Sequence, residues 1–368
     1  MIYLDSGATS FPKLPQVKRA VLDALEHCAN PGRGGHRAAM AAQRAVFDCR
    51  RRAGELFHCL PEQVAFTSNC THGLNIAVHT LVKPGDRVVI SGFEHNAVTR
   101  PLYGLGARVR VAGRKLFDRA DTLEEFEKAL AAGADAAVFT HVSNVFGYVL
   151  PVDEMSSLCR RYGVPFVIDA AQSAGSQRID LQALGADFIA APGHKGLLGP
   201  QGTGILLCNR EPVPLIRGGT GSQSILQDMP LELPDRLEAG TVNVPGIAGL
   251  SAGLEFLLRT GLDRIRTTEE RACDFCAKGL KKAGFTVFSG KNQCGSISFL
   301  PHGDCQETAD ALARKGIAVR AGLHCAPLAH ESAGTLNTGT VRVSFGHDST
   351  PEKIGKFLEI LRKVVTEP

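Results

Sequence analysis

The sequence lacks any apolar run approaching the ~18 residues of a membrane-spanning helix, so no membrane segment is expected. It lacks a basic leader followed by an apolar stretch. Met1-Ile2-Tyr3-Leu4-Asp5-Ser6-Gly7 reaches polar residues at once, and no signal peptide is expected. Internal repeats and low-complexity blocks are missing too. The net charge is only +4, so no strong charge argues for nucleic-acid binding. The basic cluster Arg50-Arg51-Arg52, with Arg44, reads as a solvated helix face rather than a nucleic-acid patch. Eleven cysteines without a secretory signal point to the reducing cytoplasm and away from a disulfide framework. Cys273-Asp274-Phe275-Cys276 is a lone C-x-x-C in a helical stretch with no second pair. It reads as two helix-borne thiols, and no metal site is expected.

With 368 residues, 44% hydrophobic and 21% charged, the chain suits two globular domains without extensive disorder. Apolar runs at 64–67, 87–91, 109–111, 137–140, 165–169, 188–190 and 204–207 read as strands. Several are continuous, as in strands buried on both faces. Helical stretches separate many of them, at 72–82, 123–132 and 153–162. This alternation predicts an α/β large domain with a mostly parallel seven-stranded sheet. A long helical stretch at 256–284, turning near Thr260-Gly261, precedes shorter strands mixed with helices. The expected division is an N-terminal segment 1–14 packing with the small domain, a large domain 15–250, and an α+β domain 251–368.

The chemistry-bearing motifs fall mostly at strand ends, where open α/β sheets collect ligands. Gly193-His194-Lys195-Gly196 follows the run 187–191. A buried lysine there can lose its charge and bond an aldehyde carbon. Asp169-Ala170-Ala171-Gln172 ends a second strand. A carboxylate and an amine at neighbouring strand ends are what pyridoxal 5'-phosphate (PLP) needs, for its ring nitrogen and its aldehyde. Ser68-Asn69-Cys70-Thr71-His72-Gly73 opens a helix after the first sheet strand and offers a phosphate seat. His95 of Glu94-His95-Asn96 could stack on a flat ring, and Asn144 and Gln172 could reach its phenolic oxygen. Thr241 of Glu238-Ala239-Gly240-Thr241 is another phosphate donor. Glycine-rich 217–222 means only a flexible loop by itself. Arg320-Ala321-Gly322-Leu323-His324-Cys325-Ala326-Pro327 presents a cysteine with histidine beside it and arginine upstream. Cationic neighbours would favour its thiolate. Arg342, mid-strand in Thr340-Val341-Arg342-Val343-Ser344, needs an anionic partner if it points inward. A substrate carboxylate or a structural salt bridge would serve.

Together these motifs resemble the class V aminotransferase family of PLP enzymes, in its cysteine desulfurase and selenocysteine lyase branch. The resemblance runs from Leu4-Asp5-Ser6-Gly7-Ala8-Thr9 to Arg342. Its most specific pieces are Gly-His-Lys, Asp-Ala-Ala-Gln, Glu-Ala-Gly-Thr and Arg-Ala-Gly-Leu-His-Cys-Ala. The last is similar to the group II enzymes with a short, ordered cysteine loop. Asn30-Pro31-Gly32-Arg33-Gly34-Gly35-His36 is similar to the family's N-terminal active-site segment.

The resemblance implies the PLP-dependent transferase fold type I, working as a homodimer with shared active sites. It implies that Lys195 holds the cofactor and moves protons, that Asp169 pairs the ring nitrogen, and that His95 stacks on the ring. Asn144 and Gln172 would address the ring oxygen. Thr71, His72 and His194 would hold phosphate, with Thr241 donated across the dimer interface. Arg342, Asn144, His36 and Arg320 would bind the substrate, L-cysteine or L-selenocysteine. Cys325 would accept its sulfur as a persulfide, L-alanine would leave, and an acceptor protein would take the sulfur or selenium. Two other readings stand beside this: another PLP reaction (an aminotransferase, epimerase or C–S lyase), or a non-catalytic sulfur-trafficking scaffold. The chain departs from the family at Pro192, where Ser or Thr is usual. Asn96-Ala97-Val98 and Gly-Pro-Gln-Gly-Thr-Gly at 199–204 depart as well.

Overall fold

A computed structural model describes residues 1–32 and 34–366. In chain order the strands are β1 (Ile2–Tyr3), β2 (Val64–Thr67), β3 (Arg87–Ser91), β4 (Arg108–Ala112), β5 (Ala136–Thr140), β6 (Phe166–Asp169), β7 (Phe188–Pro192), β8 (Gly204–Cys208), β9 (Thr286–Phe288), β10 (Ser296–Leu300), β11 (Ile317–Ala318), β12 (Arg320–Gly322) and β13 (Thr340–Ser344). The helices are α1 (Pro15–His27), α2 (Arg37–Phe57), α3 (Cys70–Leu81), α4 (Asn96–Gly104), α5 (Arg119–Ala131), α6 (Val152–Tyr162), α7 (Leu181–Leu184), α8 (Val244–Thr260), α9 (Leu262–Lys282), α10 (Cys305–Arg314), α11 (Pro327–Ser332) and α12 (Pro351–Thr366).

All seven expected strands form one sheet, in the order β2-β8-β7-β6-β5-β3-β4. Only β8 runs antiparallel to its neighbours, β2 and β7. Every residue of β2, β5, β6, β7 and β8 is buried, which explains their unbroken apolar sequences. Under the sheet, Phe139 stacks on Phe166 at 5.8 Å and meets the edge of Phe126 at 5.4 Å. The register sets Thr140 beside Asp169 and Asp169 beside Ala190. Parallel pairing therefore delivers the loops after β5, β6 and β7 to one edge.

The second half carries a four-stranded antiparallel sheet, β12-β13-β10-β9, covered by α9, α10 and α12. The chain start is woven into it: β1 pairs in parallel with β11, and Asp5 bridges Ser344. The expected division between residues 250 and 251 falls inside α8. That helix begins at Val244, where Asn243 caps it, its side chain accepting from Gly246 N at 3.0 Å. Ile247, Leu250, Leu254 and Leu257 all join the core of the large sheet. A turn at Gly261, whose φ is +82°, separates α8 from α9.

Arg50 corrects the expectation of a solvated basic face. It is 7% exposed and pairs with Glu238, which also accepts from Phe66 N at 2.6 Å. Its guanidinium lies 4.5 Å above the Phe66 ring. Arg52 pairs with Glu255 at 3.1 Å, and Arg51 faces solvent. Cys273 and Cys276 are buried thiols on α9.

Candidate active site

Asp169 is the last residue of β6 and 2% exposed. Its Oδ1 accepts from Ala171 N at 2.8 Å and from the Cys70 thiol at 3.5 Å. Lys195 follows β7 on a turn whose tightness needs glycine on either side. A Cβ on Gly193 would collide with Thr203 Oγ1, and one on Gly196 with the Ala174 carbonyl. The Lys195 side chain lines the same cleft as Asp169, His95, Asn144, Gln172, His194, Cys70 and Thr71. Burial holds the Lys195 amine below its ordinary pKa and Arg342 adds repulsion, while Asp169 works the other way. The cleft thus contains an amine biased toward its neutral, nucleophilic form facing a strand-end carboxylate.

His95 caps α4, its Nδ1 accepting from Ala97 N at 3.0 Å. That bond leaves the proton of the neutral ring on Nε2, and burial lowers the ring's pKa. His194 is also held neutral, at about 4, by burial and by Lys195. Its Nδ1 is buried and, like Asn144 Oδ1 and Arg342 Nε, has no partner among the described residues. Two orphaned polar atoms on residues lining one strand-end cleft, with a third on Arg342, which bonds Asn144, are what a bound polar group would satisfy.

Asn144 ties the cleft to the second half of the chain. Its Nδ2 donates to His324 O at 2.8 Å, and its own carbonyl accepts from Arg342 Nη1 at 2.9 Å. In an adjoining cavity that shares Thr71, His95 and Ala97 with this cleft, Asn96 N donates to Cys325 O at 2.7 Å. These bonds seat the exposed Cys325 at the mouth, in a turn where His324 and Cys325 have φ of +51° and +56°. The expectation of a cationic histidine beside the thiol is overturned. Burial and the nearby Arg342 push His324 down to about 3, so it is neutral. Its ring stacks on His330 at 5.6 Å, and its Nε2–H donates to Arg320 O at 3.2 Å.

Arg342 is 2% exposed. Its Nη2 donates to Asp5 Oδ1 at 2.7 Å, so the salt-bridge and carboxylate readings do not exclude each other: one edge is paired and Nε–H is not. Arg320 grips the same Asp5 at 2.9 Å. Gln172 Nε2 donates to Gly7 O at 3.0 Å.

Other candidates lie apart. His72 and Thr241 line a separate cavity with Thr67 and Ser68. The His72 N–H already donates to Asn69 Oδ1 at 2.9 Å, as a helix cap. His36 caps α2, accepting from Ala39 N, and does not line the Lys195 cleft. Arg33 of the same segment lies outside the described residues. Pro192 closes β7 opposite Gly204 and presents no hydroxyl.

Sequence reasoning missed Asp5, Lys13, Cys70 and Glu94. Lys13 Nζ donates to His194 O at 2.9 Å, beside the Lys195 peptide, and burial brings it down to about 8. Glu94 is completely buried behind His95. The clue for Glu94 was its place directly after an apolar strand. Asp5 offered no local clue beyond its polarity after Leu4.

Residues 2–357 match the family model described as Aminotransferase class-V. The chain is 33% identical to a probable cysteine desulfurase of Pyrococcus abyssi, over 99% of this chain and 94% of that protein. A probable cysteine desulfurase of Methanothermobacter thermautotrophicus gives the same identity and coverage. Among solved structures, the apo cysteine desulfurase of Thermococcus onnurineus superimposes with a TM-score of 0.91 at 32% identity, covering 100% of this chain and 95% of that one.

Proposed function

The chain belongs to the class-V aminotransferase family, and on that premise we propose that it is a PLP-dependent cysteine desulfurase. It takes sulfur from L-cysteine onto Cys325 and releases L-alanine. The observation that carries this reading is the exposed Cys325 thiol on a loop that Asn144 ties to the Asp169–Lys195 cleft and Asn96 to the cavity adjoining it.

The donor set fits the cofactor. Lys195 would hold its aldehyde carbon, Asp169 its ring nitrogen, His95 its ring face, and Asn144 and Gln172 its phenolic oxygen. Thr71 and His194, which line the cleft, would hold its phosphate, while His72 lies in the separate cavity with Thr241. When bound, PLP withdraws electrons from the substrate's Cα and makes its proton acidic. The chain's residues do the rest. Arg342 holds the substrate carboxylate through its free Nε–H edge, with Arg320 adding charge at the mouth. Lys195, biased toward its neutral form, takes the Cα proton. The Cys325 thiolate attacks the substrate sulfur. An S–S bond forms as the Cβ–S bond breaks, Cβ takes the bonding pair and a proton to become the methyl of alanine, and Lys195 returns a proton to Cα. The persulfide on Cys325 then faces outward, where an acceptor protein would take the sulfur.

Selenocysteine differs from cysteine only in its selenium atom, and as the better leaving group that selenium would need less help from Cys325. A homodimer with shared sites is supported by exposed Leu22 and Leu25 on α1 and Met40 and Phe47 on α2. Thr241 would then reach the partner subunit's phosphate. Among the described residues no helix is long and apolar enough to cross a membrane, and eleven free cysteines suit the reducing cytoplasm.

The test compares alanine release from L-cysteine and L-selenocysteine in the wild type and in Cys325→Ala. We expect loss of cysteine turnover with selenocysteine cleavage retained. Pyruvate and ammonia in place of alanine, or unchanged cysteine desulfuration in Cys325→Ala, would overturn the reading. Borohydride reduction of the PLP-loaded protein should tag Lys195.

A further inference from the structure

We propose that Asp5 is a specificity-determining residue. It fills half of a two-guanidinium site, so that Arg320 and Arg342 accept one substrate carboxylate and exclude a second anion. This rests on the assignment of Arg342 to the substrate carboxylate.

Two arginines from adjacent strands of the four-stranded sheet, Arg320 on β12 and Arg342 on β13, converge on one carboxylate from the chain start. Arg342 Nη2 donates to Asp5 Oδ1 at 2.7 Å. Arg320 donates to Asp5 Oδ2 from Nη2 at 2.9 Å and from Nε at 3.1 Å. The cluster therefore carries two positive charges and one negative. The remaining positive charge has one buried, unpartnered donor, Arg342 Nε–H. One carboxylate neutralises the site, whereas a dianion would bring an excess charge against Asp5.

Asp5 is pinned in this position rather than tethered loosely. Its residue forms a bridge to Ser344, and Gly7 N donates to Ser344 Oγ at 2.8 Å. Tyr3 Oη donates to the Asp5 carbonyl at 3.0 Å. A Cβ on Gly7 would stand 3.2 Å from Arg342 Cζ, so glycine lets this turn press on the guanidinium. The same strap reaches Lys195. Ser10 N donates to His194 O at 3.0 Å, and Thr9 Oγ1 to the same carbonyl at 3.1 Å. The Asp5 carboxylate is thus held at fixed distance from both the substrate arginine and the lysine turn, and it acts on substrate through Arg342.

The experiment uses the PLP-loaded protein and two plain inhibitors, propionate and succinate, against L-cysteine turnover. In Asp5→Asn, which keeps the side-chain shape and an acceptor oxygen, the site gains one positive charge. Succinate inhibition should tighten at least tenfold relative to propionate inhibition. Asp5→Asn/Arg320→Gln restores the original charge, and the succinate-to-propionate ratio should return to within about threefold of the wild type. A residue serving only as a structural clamp would weaken both inhibitors together and gain nothing from the second substitution. An unchanged ratio in Asp5→Asn, with the cofactor's absorbance band intact, would overturn the proposal. Failure of the wild type to make alanine from cysteine would instead remove the desulfurase reading. The ratio would then be read by calorimetric binding of the two acids, which still decides the role of Asp5.

Discussion

Glu94→Gln should flatten the pH dependence of stability between about pH 5 and pH 8. Glu94 is fully buried. One oxygen accepts from Ser91 Oγ, from Ser91 N at 3.2 Å and from Thr140 N at 3.0 Å. The other oxygen has no partner among the described residues. Burial pushes its carboxyl from 4.5 up to about 8, against the lowering pull of those hydrogen bonds, and Asp169 adds to the rise. Below the unfolded value the acid is protonated in both states and the proton favours neither. Between that value and about 8 the folded chain binds a proton that the unfolded chain does not, so stability falls as pH rises. Each pH unit in this window removes about 1.4 kcal/mol. From pH 5 to pH 8 the loss amounts to roughly 4 kcal/mol. For 368 residues the unfolding entropy is about 0.8 kcal/mol/K, so the wild-type melting temperature should fall by about 5 °C more than that of Glu94→Gln. Glutamine keeps the accepting oxygen, so any cost of its amide group is the same at every pH. Thermal melts of both proteins, saturated with PLP, at half-unit pH steps supply the comparison. Parallel curves across the window would refute the buried, protonated acid.

Glu238→Ala should leave the Arg50 guanidinium buried without its anion, costing about 3–5 kcal/mol in denaturant unfolding; a loss below about 1 kcal/mol would refute the pairing's importance. Gly193→Ala should place a methyl group against Thr203, destabilise by about 1–3 kcal/mol and shift the Lys195 turn. Cofactor absorbance and melting temperature check this, and an unchanged protein would show that the turn has room.

The large sheet was legible because five of its strands, β2 and β5 to β8, are buried along their whole length. Val64–Thr67, Ala136–Thr140 and Phe188–Pro192 contain no charged residue, and the turn and helix signals between them are local. The Asp169–Lys195 pair was legible for a related reason: Asp169 ends one such strand and Lys195 lies on the turn after another. The first turns of helix α8 are rich in glycine, Gly246, Gly249 and Gly253 among them, at a cost in helix propensity. In the fold these positions admit close neighbours. A Cβ on Gly253 would collide with Leu197 O, and one on Gly249 would come 2.7 Å from Val21. The Arg50 cluster misled because three consecutive basic residues look solvated, and nothing local reveals that Glu238 waits in the core.

What the sequence by itself determined is the α/β order, the strand-end carboxylate and amine, and the exposed cysteine motif. These follow from hydrophobic period and chain adjacency, which act over a few residues. Tertiary structure alone decided which charges meet and which protons are held. Asp5 finds Arg342 across 337 positions of chain, His324 becomes neutral beside that arginine, and Glu94 keeps its proton under His95. Electrostatic energy depends on distance and burial in the folded molecule, and neither quantity is written along the chain.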